Sequence, residues 1–438
     1  MAKKDEHEIR DPIHVFVRLD TDERRVLDSR ELQRLRHVHQ LALTYLVYPG
    51  ATHRRFEHSL GVMELATRVF DVITAPPIHE KIRDIIPNKN KRNYWRRVLR
   101  MAALCHDLGH LPFSHAAETE LLPEGWDHER LTKEIIRSDE MKSQTWEQLE
   151  VPVKIEDIVK VALGPKGAKE LIFNEWETIL SEVITGDTFG VDRMDYLLRD
   201  SLHAGVAYGK FDHYRLIDTL RILPKGGGED DSDEPTLGLD YGGVQSAEAL
   251  LWARYFMFSQ VYCHSVRRIY DIHLKDFLQK WLENGKFSTE TKDHLEMTDI
   301  EVLAGLREAN SDTKHPGHIH AKRIIGRDHF KLLYSRNSND QNINPNAAVA
   351  IYEAACKEYG PDFVRHDEYR QKGESQYFPV ISKDGRVLQS VELSDTLFKV
   401  PVVKSDFVFI DRKLRPKALN WLNEKREEII KPQKETEE

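Results

Sequence analysis

Three features of the sequence predict a mainly α-helical fold with small β elements and an α+β C-terminal region. Apolar residues recur at helical spacing through most of residues 1–285, Gly and Pro punctuate those runs, and strand-like stretches gather in residues 286–438. The first element, residues 13–18, alternates apolar and polar side chains and reads as a strand or hairpin. Asp28 followed by Glu31 resembles a capping box, with Leu32, Leu35, Val38 and Leu41 at helical spacing behind it. His58 opens an amphipathic run to about Ile73. Residues 101–107 are an apolar helical run that Gly109 and Pro112 stop, so His106 and Asp107 sit at a helix end facing a loop. Residues 192–200 are again helical, with Asp192, Tyr196 and Arg199 or Asp200 along a side suited to line a pocket. Residues 225–236, Gly-rich and acidic, read as an exposed mobile loop. Residues 246–283 read as one long helix closing at Asn284-Gly285, the expected boundary between a core of 1–285 and a region of 286–438. Strands are expected at 377–382, at 386–393 around Asp384-Gly385, and at 407–410, and the final dozen charged residues are expected to fray.

The chain of 438 residues is long enough for one large domain or two to three ordinary ones. Its 64 basic and 73 acidic side chains give a formal charge of −9, which disfavours broad binding to nucleic acid or anionic membranes. Three cysteines, Cys105, Cys263 and Cys356, form neither a disulfide framework nor a CxxC site, and a reducing compartment follows. Residues 1–10 are densely charged and the longest apolar run, 41–47, is too short for a bilayer, so the expectation is a soluble cytoplasmic protein. The basic run from Lys89 to Arg100, with Tyr94 and Trp95 inside it, reads as the solvated start of a helix, or else as a contact for nucleic acid or polyphosphate.

The chemistry concentrates in His58, the neighbours His106 and Asp107, and Asp192. Two imidazoles and two carboxylates can hold one divalent ion. Neighbouring helical residues point about 100° apart, so His106 and Asp107 reach a common ion only where the helix end lies beneath it. Mixed His and carboxylate ligands suit a hydrolytic Mn, Fe, Mg or Zn site better than a structural one.

HSLGV at His58, CHDLGH around His106 and VDRMDY around Asp192 together resemble the HD-domain metal-dependent phosphohydrolases. Within that superfamily the chain is most similar to the deoxynucleoside triphosphate triphosphohydrolases, through QRLRHVHQL, GATHRRFEHS, LGHLPFSH, WDHE, MDYLLRD and the segment from Arg254 to His264. The bacterial form, with VYCH at Val261, is the nearer likeness, and no SAM-like domain is expected ahead of the core. The resemblance implies that His58, His106, Asp107 and Asp192 bind metal and that His110, His115 and His128 face the triphosphate, with Glu118, where the family often has Asp, supporting a catalytic histidine. It implies attack of water on the α-phosphorus of a dNTP, with His115 the first choice and His110 the second as proton donor to the leaving 5′ oxygen. Gln40 and Asp200 would bond the 3′ hydroxyl, Leu41 and Tyr262 would exclude a 2′ hydroxyl, and Arg55, Arg193, Tyr196 and Arg254 would complete the substrate pocket. Phe258 replaces a polar family residue, and Arg193 stands where some relatives have Lys. Asp28, Gln33 and Arg36, with Arg327 and Lys331, match an allosteric site for GTP or dGTP; without the likeness, Asp28 reads as an N-cap and the arginines as a wet helix face. A homotetramer is implied by analogy alone. The rival readings are an HD phosphodiesterase or nucleotidase for a nucleoside monophosphate, cyclic nucleotide or alarmone, and a nucleic-acid-binding regulator with a relic metal site.

Overall fold

The computed structural model describes residues 6–114, 118–225, 234–371 and 377–431. Among these, helices dominate and three small sheets accompany them. Two compact units form, one from Met1–Met257, Phe287–Val302 and Glu374–Pro401, the other from Phe258–Lys286, Leu303–Gly373 and Val402–Glu438. Each unit thus draws on separated stretches of chain, where the sequence suggests a single division after residue 285.

The first unit opens with the expected hairpin, Glu6–Asp11 paired antiparallel with Val15–Asp20. The first capping box lies at Asp20 and Glu23, which open the helix Thr21–Leu27. Asp28 is the C-cap of that helix, in helical conformation, and its carboxylate takes a hydrogen bond from Arg24 Nε at 2.6 Å. Ser29, with extended backbone, caps Arg30–Arg34 instead. This corrects the reading of Asp28 as an N-cap: a residue still in the αR region points its side chain away from the next helix's free N–H groups.

The helix Arg55–Ile73 carries His58, Lys89–Cys105 ends at His106, and Val191–Ala204 begins beside Asp192. Their apolar faces, including Val62, Leu65, Val69, Leu99, Leu104, Met194 and Leu197, are fully buried. Burying such side chains, each worth about 1.5–3 kcal/mol, fixes the helices and so the three ligand-bearing positions. Within the basic run, Arg96 pairs with Asp71, Arg97 with Asp22, and buried Arg100 with Glu23. The sheet of this unit orders Leu220–Pro224, Pro235–Asp240, Pro379–Ile381 and Val387–Gln389, with the middle pair parallel and the outer pairs antiparallel. Residues 226–233 of the expected mobile loop lie outside the described residues.

The expected single helix over 246–283 is interrupted. Val244–Met257 runs into a π-helical turn at Phe258–Tyr262, and Ser265–Trp281 restarts from His264, whose extended backbone and Nδ1 cap the new helix. A π turn changes only one turn's hydrogen bonding, from i→i+4 to i→i+5, and no Gly or Pro marks it here.

In the second unit Lys404–Ile410 is the central strand between Lys331–Ser335 and Val364–Arg370, both antiparallel to it. The helices Ala347–Tyr359 and Arg415–Ile430 bury Ile351, Ala355, Ala418 and Leu422 with Val364, Val408 and Ile410. Of the final dozen residues, expected to fray, 427–430 remain helical because Ile430 is buried. Among the described residues no helix is long and apolar enough to cross a membrane.

Candidate metal centre and active site

Three helix termini deliver four side chains to one place. His58 lies in the first turn of its helix, His106 is the C-cap of Lys89–Cys105 with Asp107 beyond it, and Asp192 stands in the first turn of Val191–Ala204. His58 Nε2 lies 2.9 Å from Asp192 Oδ1 and 3.8 Å from Asp107 Oδ2, and His106 Nε2 lies 3.3 Å from Asp107 Oδ1 and 3.7 Å from Asp192 Oδ1. Helix end and following residue share one centre, as the adjacent pair requires.

Both imidazoles are oriented from behind. His58 Nδ1 is 2.8 Å from Asp195 Oδ2, and His106 Nδ1 is 2.8 Å from the Ala103 carbonyl. A ring that donates from Nδ1 presents the Nε2 lone pair inward, the arrangement that fixes histidine ligands in metal sites. Asp195 is itself held by Arg199, which donates from Nε and Nη2 at 2.8 and 2.9 Å, and by His14 Nε2 at 2.9 Å; Arg199 also donates to Asp11 at 2.8 Å. Arg199 therefore faces this buried network and not a pocket wall, as its 0% exposure shows. Burial opposes a charge on His58, but its bonds to Asp192 and Asp195 outweigh that and push its pKa up to about 10. The negative potential that favours a proton there favours a cation equally.

A second group adjoins the first. His110 Nε2 lies 3.2 Å from Asp107 Oδ1, and its ring stacks on His128 at 4.2 Å between centroids. Glu118 Oε1 binds His128 Nδ1 at 2.6 Å. Burial, then the charge of Arg55, holds His110 well below the usual histidine range, so its ring is neutral. Burial also opposes charge on His128, but Glu118 overcomes it and raises the pKa. Arg55 donates from Nη1 to Asp107 Oδ2 at 2.5 Å and from Nε to Ser114 Oγ at 2.8 Å. His115 lies outside the described residues.

The sugar-side candidates form a partial cluster. Gln40 N donates to the His53 carbonyl at 3.0 Å, and His53 Nε2 pairs with buried Asp200 Oδ1 at 2.7 Å. Gln40 Oε1 is buried and has no hydrogen-bond partner among the described residues, and Leu41 is buried beside it in sequence. Arg193 and Tyr196 are half-buried on the Asp192 helix, and Arg254 is buried in Val244–Met257. Tyr262 belongs to the second unit, where its ring meets Phe258 edge-on at 4.9 Å. Of the allosteric candidates, Gln33 Oε1 accepts from Arg36 Nε at 2.8 Å, Arg36 covers the Phe56 ring, and Asp28 pairs with Arg24. Arg327 and Lys331 are in the second unit, Lys331 Nζ lying 3.1 Å from His329 Nε2.

The HD domain model matches residues 55–170, and the HD associated region matches 211–357. A putative HD domain-containing protein of Acanthamoeba polyphaga mimivirus is 30% identical over 346 residues, 76% of this chain and 70% of that one. The chain belongs to the HD-domain family. Its mainly helical fold is the family's. The deoxynucleoside triphosphate triphosphohydrolase SAMHD1 of Gallus gallus is 30% identical over 360 residues, 74% of this chain and 55% of that one. The crystal structure of a hypothetical protein from Aquifex aeolicus aligns with a TM-score of 0.77 at 33% identity, covering 95% of this chain and all of that one. The chain spans about half the length of the first curated relatives it matches.

The donor set fits a divalent ion. Buried His106 Nε2 has no hydrogen-bond partner among the described residues, and ligand atoms of His58, His106 and Asp107 all lie within 4.8 Å of one another. The sequence reading missed Asp195, His14 and Asp11, which orient His58, and His53, which holds Asp200. A signal for Asp195 was present, because Gly61 stands one turn after His58: a methyl there would collide with the Asp195 carboxylate and the Arg199 guanidinium. Gly109 is explained likewise, since a methyl would strike the backbone of His128 and Thr132.

Proposed function

We propose that this HD phosphohydrolase cleaves dNTPs to deoxynucleoside and inorganic triphosphate. The observation that carries this reading is the row of Arg55, His110 and His128 that adjoins Asp107, more hydrogen-bonding side chains beside the metal cluster than holding an ion needs. Similarity to a named deoxynucleoside triphosphate triphosphohydrolase over 74% of this chain supports it. A divalent ion held by His58, His106, Asp107 and Asp192 would polarise a phosphoryl oxygen and acidify a water. Arg55 neutralises phosphate charge while keeping Asp107 ionised. The leaving 5′ oxygen takes its proton from a histidine: His115 holds first place and His110 second by resemblance, while Glu118, which raises the pKa of His128, makes that ring a further donor. Gln40 and Asp200 bond the 3′ hydroxyl, Leu41 crowds a 2′ hydroxyl, and Arg193, Tyr196 and Arg254 complete the pocket.

Activation by GTP or dGTP is part of the reading. A carboxylate such as Asp28 accepts from guanine N1 and N2, and an arginine such as Arg36 donates to O6 and N7. Gln33 positions Arg36. The test is phosphorus NMR of metal-loaded protein with each dNTP, its ribonucleotide counterpart, and dATP with added GTP. Triphosphate as the phosphorus product, faster turnover of the deoxy form, and acceleration of dATP by GTP that Asp28→Ala abolishes are expected. A monophosphate with pyrophosphate overturns the reaction, equal deoxy and ribo rates overturn the sugar pocket, and a dATP rate indifferent to GTP overturns the activator.

A further inference from the structure

Gln40 and Asp200, the two residues assigned to the 3′ hydroxyl, come from elements far apart in the chain. Gln40 precedes the helix Arg55–Ile73, and Asp200 stands on Val191–Ala204. His53 is bonded to both. Its carbonyl accepts from Gln40 N at 3.0 Å, and its ring Nε2 lies 2.7 Å from Asp200 Oδ1. A carboxylate can only accept, so the ring carries a hydrogen on Nε2 and donates it.

Local structure leaves His53 little freedom. Residues 38–40 and 53–55 run antiparallel, joined by the His39–Arg54 bridge, the bond from Gln40 to His53, and the bond from Arg55 N to the Val38 carbonyl at 3.0 Å. Gly50 lets the same stretch lie against the end of Val191–Ala204, because a methyl there would stand 2.5 Å from the His203 carbonyl. The His203 ring stacks on the His53 ring, with 4.4 Å between centroids and 15° between planes. That stack fixes the plane of His53 and so the direction of its Nε2 hydrogen. The stretch then continues towards the metal cluster: Arg55 bonds Asp107, and His58 bonds Asp192. One continuous piece of chain therefore spaces the sugar end from the phosphate end.

His53 and Asp200 are both buried. A buried carboxylate needs hydrogen-bond donors to hold its charge, and His53 supplies one from a fixed direction. Gln40 Oε1 is a buried acceptor with no partner among the described residues, a cost that a hydroxyl hydrogen removes. Resting on the dNTP reading, we propose that His53 is a positioning residue that sets selectivity for the 3′ hydroxyl of the substrate: its ring aims the Asp200 carboxylate, and its carbonyl seats Gln40.

Hydrolysis of dATP and of 2′,3′-dideoxyadenosine triphosphate by the metal-loaded full chain, with GTP present throughout, tests this in wild type, Gln40→Ala, His53→Gln and His53→Asn. The two amides differ in reach: the Gln nitrogen can take the place of Nε2, and the Asn nitrogen falls short of Asp200. Wild type favours dATP by about 100-fold or more in kcat/KM, because the dideoxy sugar leaves buried polar groups unpaired. His53→Gln keeps that ratio. His53→Asn cuts it to about tenfold or less by slowing dATP more than the dideoxy substrate, with metal content unchanged. A residue that held only the fold would lower both substrates together. Circular dichroism checks each variant, and should His53→Asn unfold, His53→Leu, which has no donor, takes its place. If wild type turns over both substrates alike, or neither, the sugar-pocket reading fails and this role with it. If wild type discriminates and Gln40→Ala narrows the ratio, the pocket stands. The role of His53 alone is then overturned by an unchanged ratio in His53→Asn, by equal losses in His53→Asn and His53→Gln, or by a parallel fall in both substrates.

Discussion

His58, proposed as a metal ligand, is aimed by residues that stand behind it. Its Nε2 faces inward because Nδ1 is held by Asp195, and Asp195 keeps its charge in a fully buried place only because Arg199 and His14 bond it. Asn at 195 keeps the shape and loses the charge, so Asp195→Asn should weaken metal binding about 10- to 100-fold, read by competition with a chelator. Wild-type affinity in that variant would leave Asp195 a structural residue only. Glu118 plays a comparable part for His128. Because the folded His128 pKa is raised, the protonated pair contributes stability fully below the ordinary value of 6.5 and loses it as pH rises through the raised value. In Glu118→Gln the His128 titration, followed by NMR of the ring protons, should move down and the alkaline loss of stability should diminish; an unmoved titration would contradict the pairing. The proposed ligands are legible in the chain because HD is an adjacent pair at a helix stop. Asp11 and His14 are not, since they reach Arg199 and Asp195 across more than 180 positions and nothing local marks them.

At the scale of elements, the loop after the metal pair is held on two sides. Arg34 donates from both terminal nitrogens to the His110 carbonyl at 3.0 Å, and Asp299 accepts from Phe113 N at 2.7 Å and from His39 N at 2.8 Å. Phe113 and Ser114 adopt left-handed backbone, a strain these bonds offset. The glycine one turn after His58 is the other constraint. Gly61→Ala would drive a methyl into the Asp195–Arg199 pair, and separating a buried pair costs about 3–5 kcal/mol. Thermal unfolding of Gly61→Ala should therefore show a large drop in Tm together with lost metal; a wild-type Tm would mean that the helices part freely. Helices and strands were mostly visible as patterns of apolar residues. What escaped was the π turn at Phe258–Tyr262, which no Gly or Pro announces, and the role of Asp28, decided by backbone angles that its side chain does not reveal.

For the whole molecule, the interleaving of the two units is the feature least accessible from chain order. Pro379–Ile381 pairs in parallel with Pro235–Asp240 and so returns a late segment to the first unit, and the register depends on partners about 140 residues apart. The cluster of His58, His106, Asp107 and Asp192 and the residues that orient it lie wholly in the first unit, drawn from positions 11 to 199. The reaction proposed there is attack of water on the α-phosphorus of a dNTP. Hydrolysis in oxygen-18 water, with both products weighed by mass spectrometry, tests it directly: the account predicts the label in inorganic triphosphate and none in the deoxynucleoside, whereas label in the nucleoside 5′ hydroxyl, or in a nucleoside monophosphate, would contradict it.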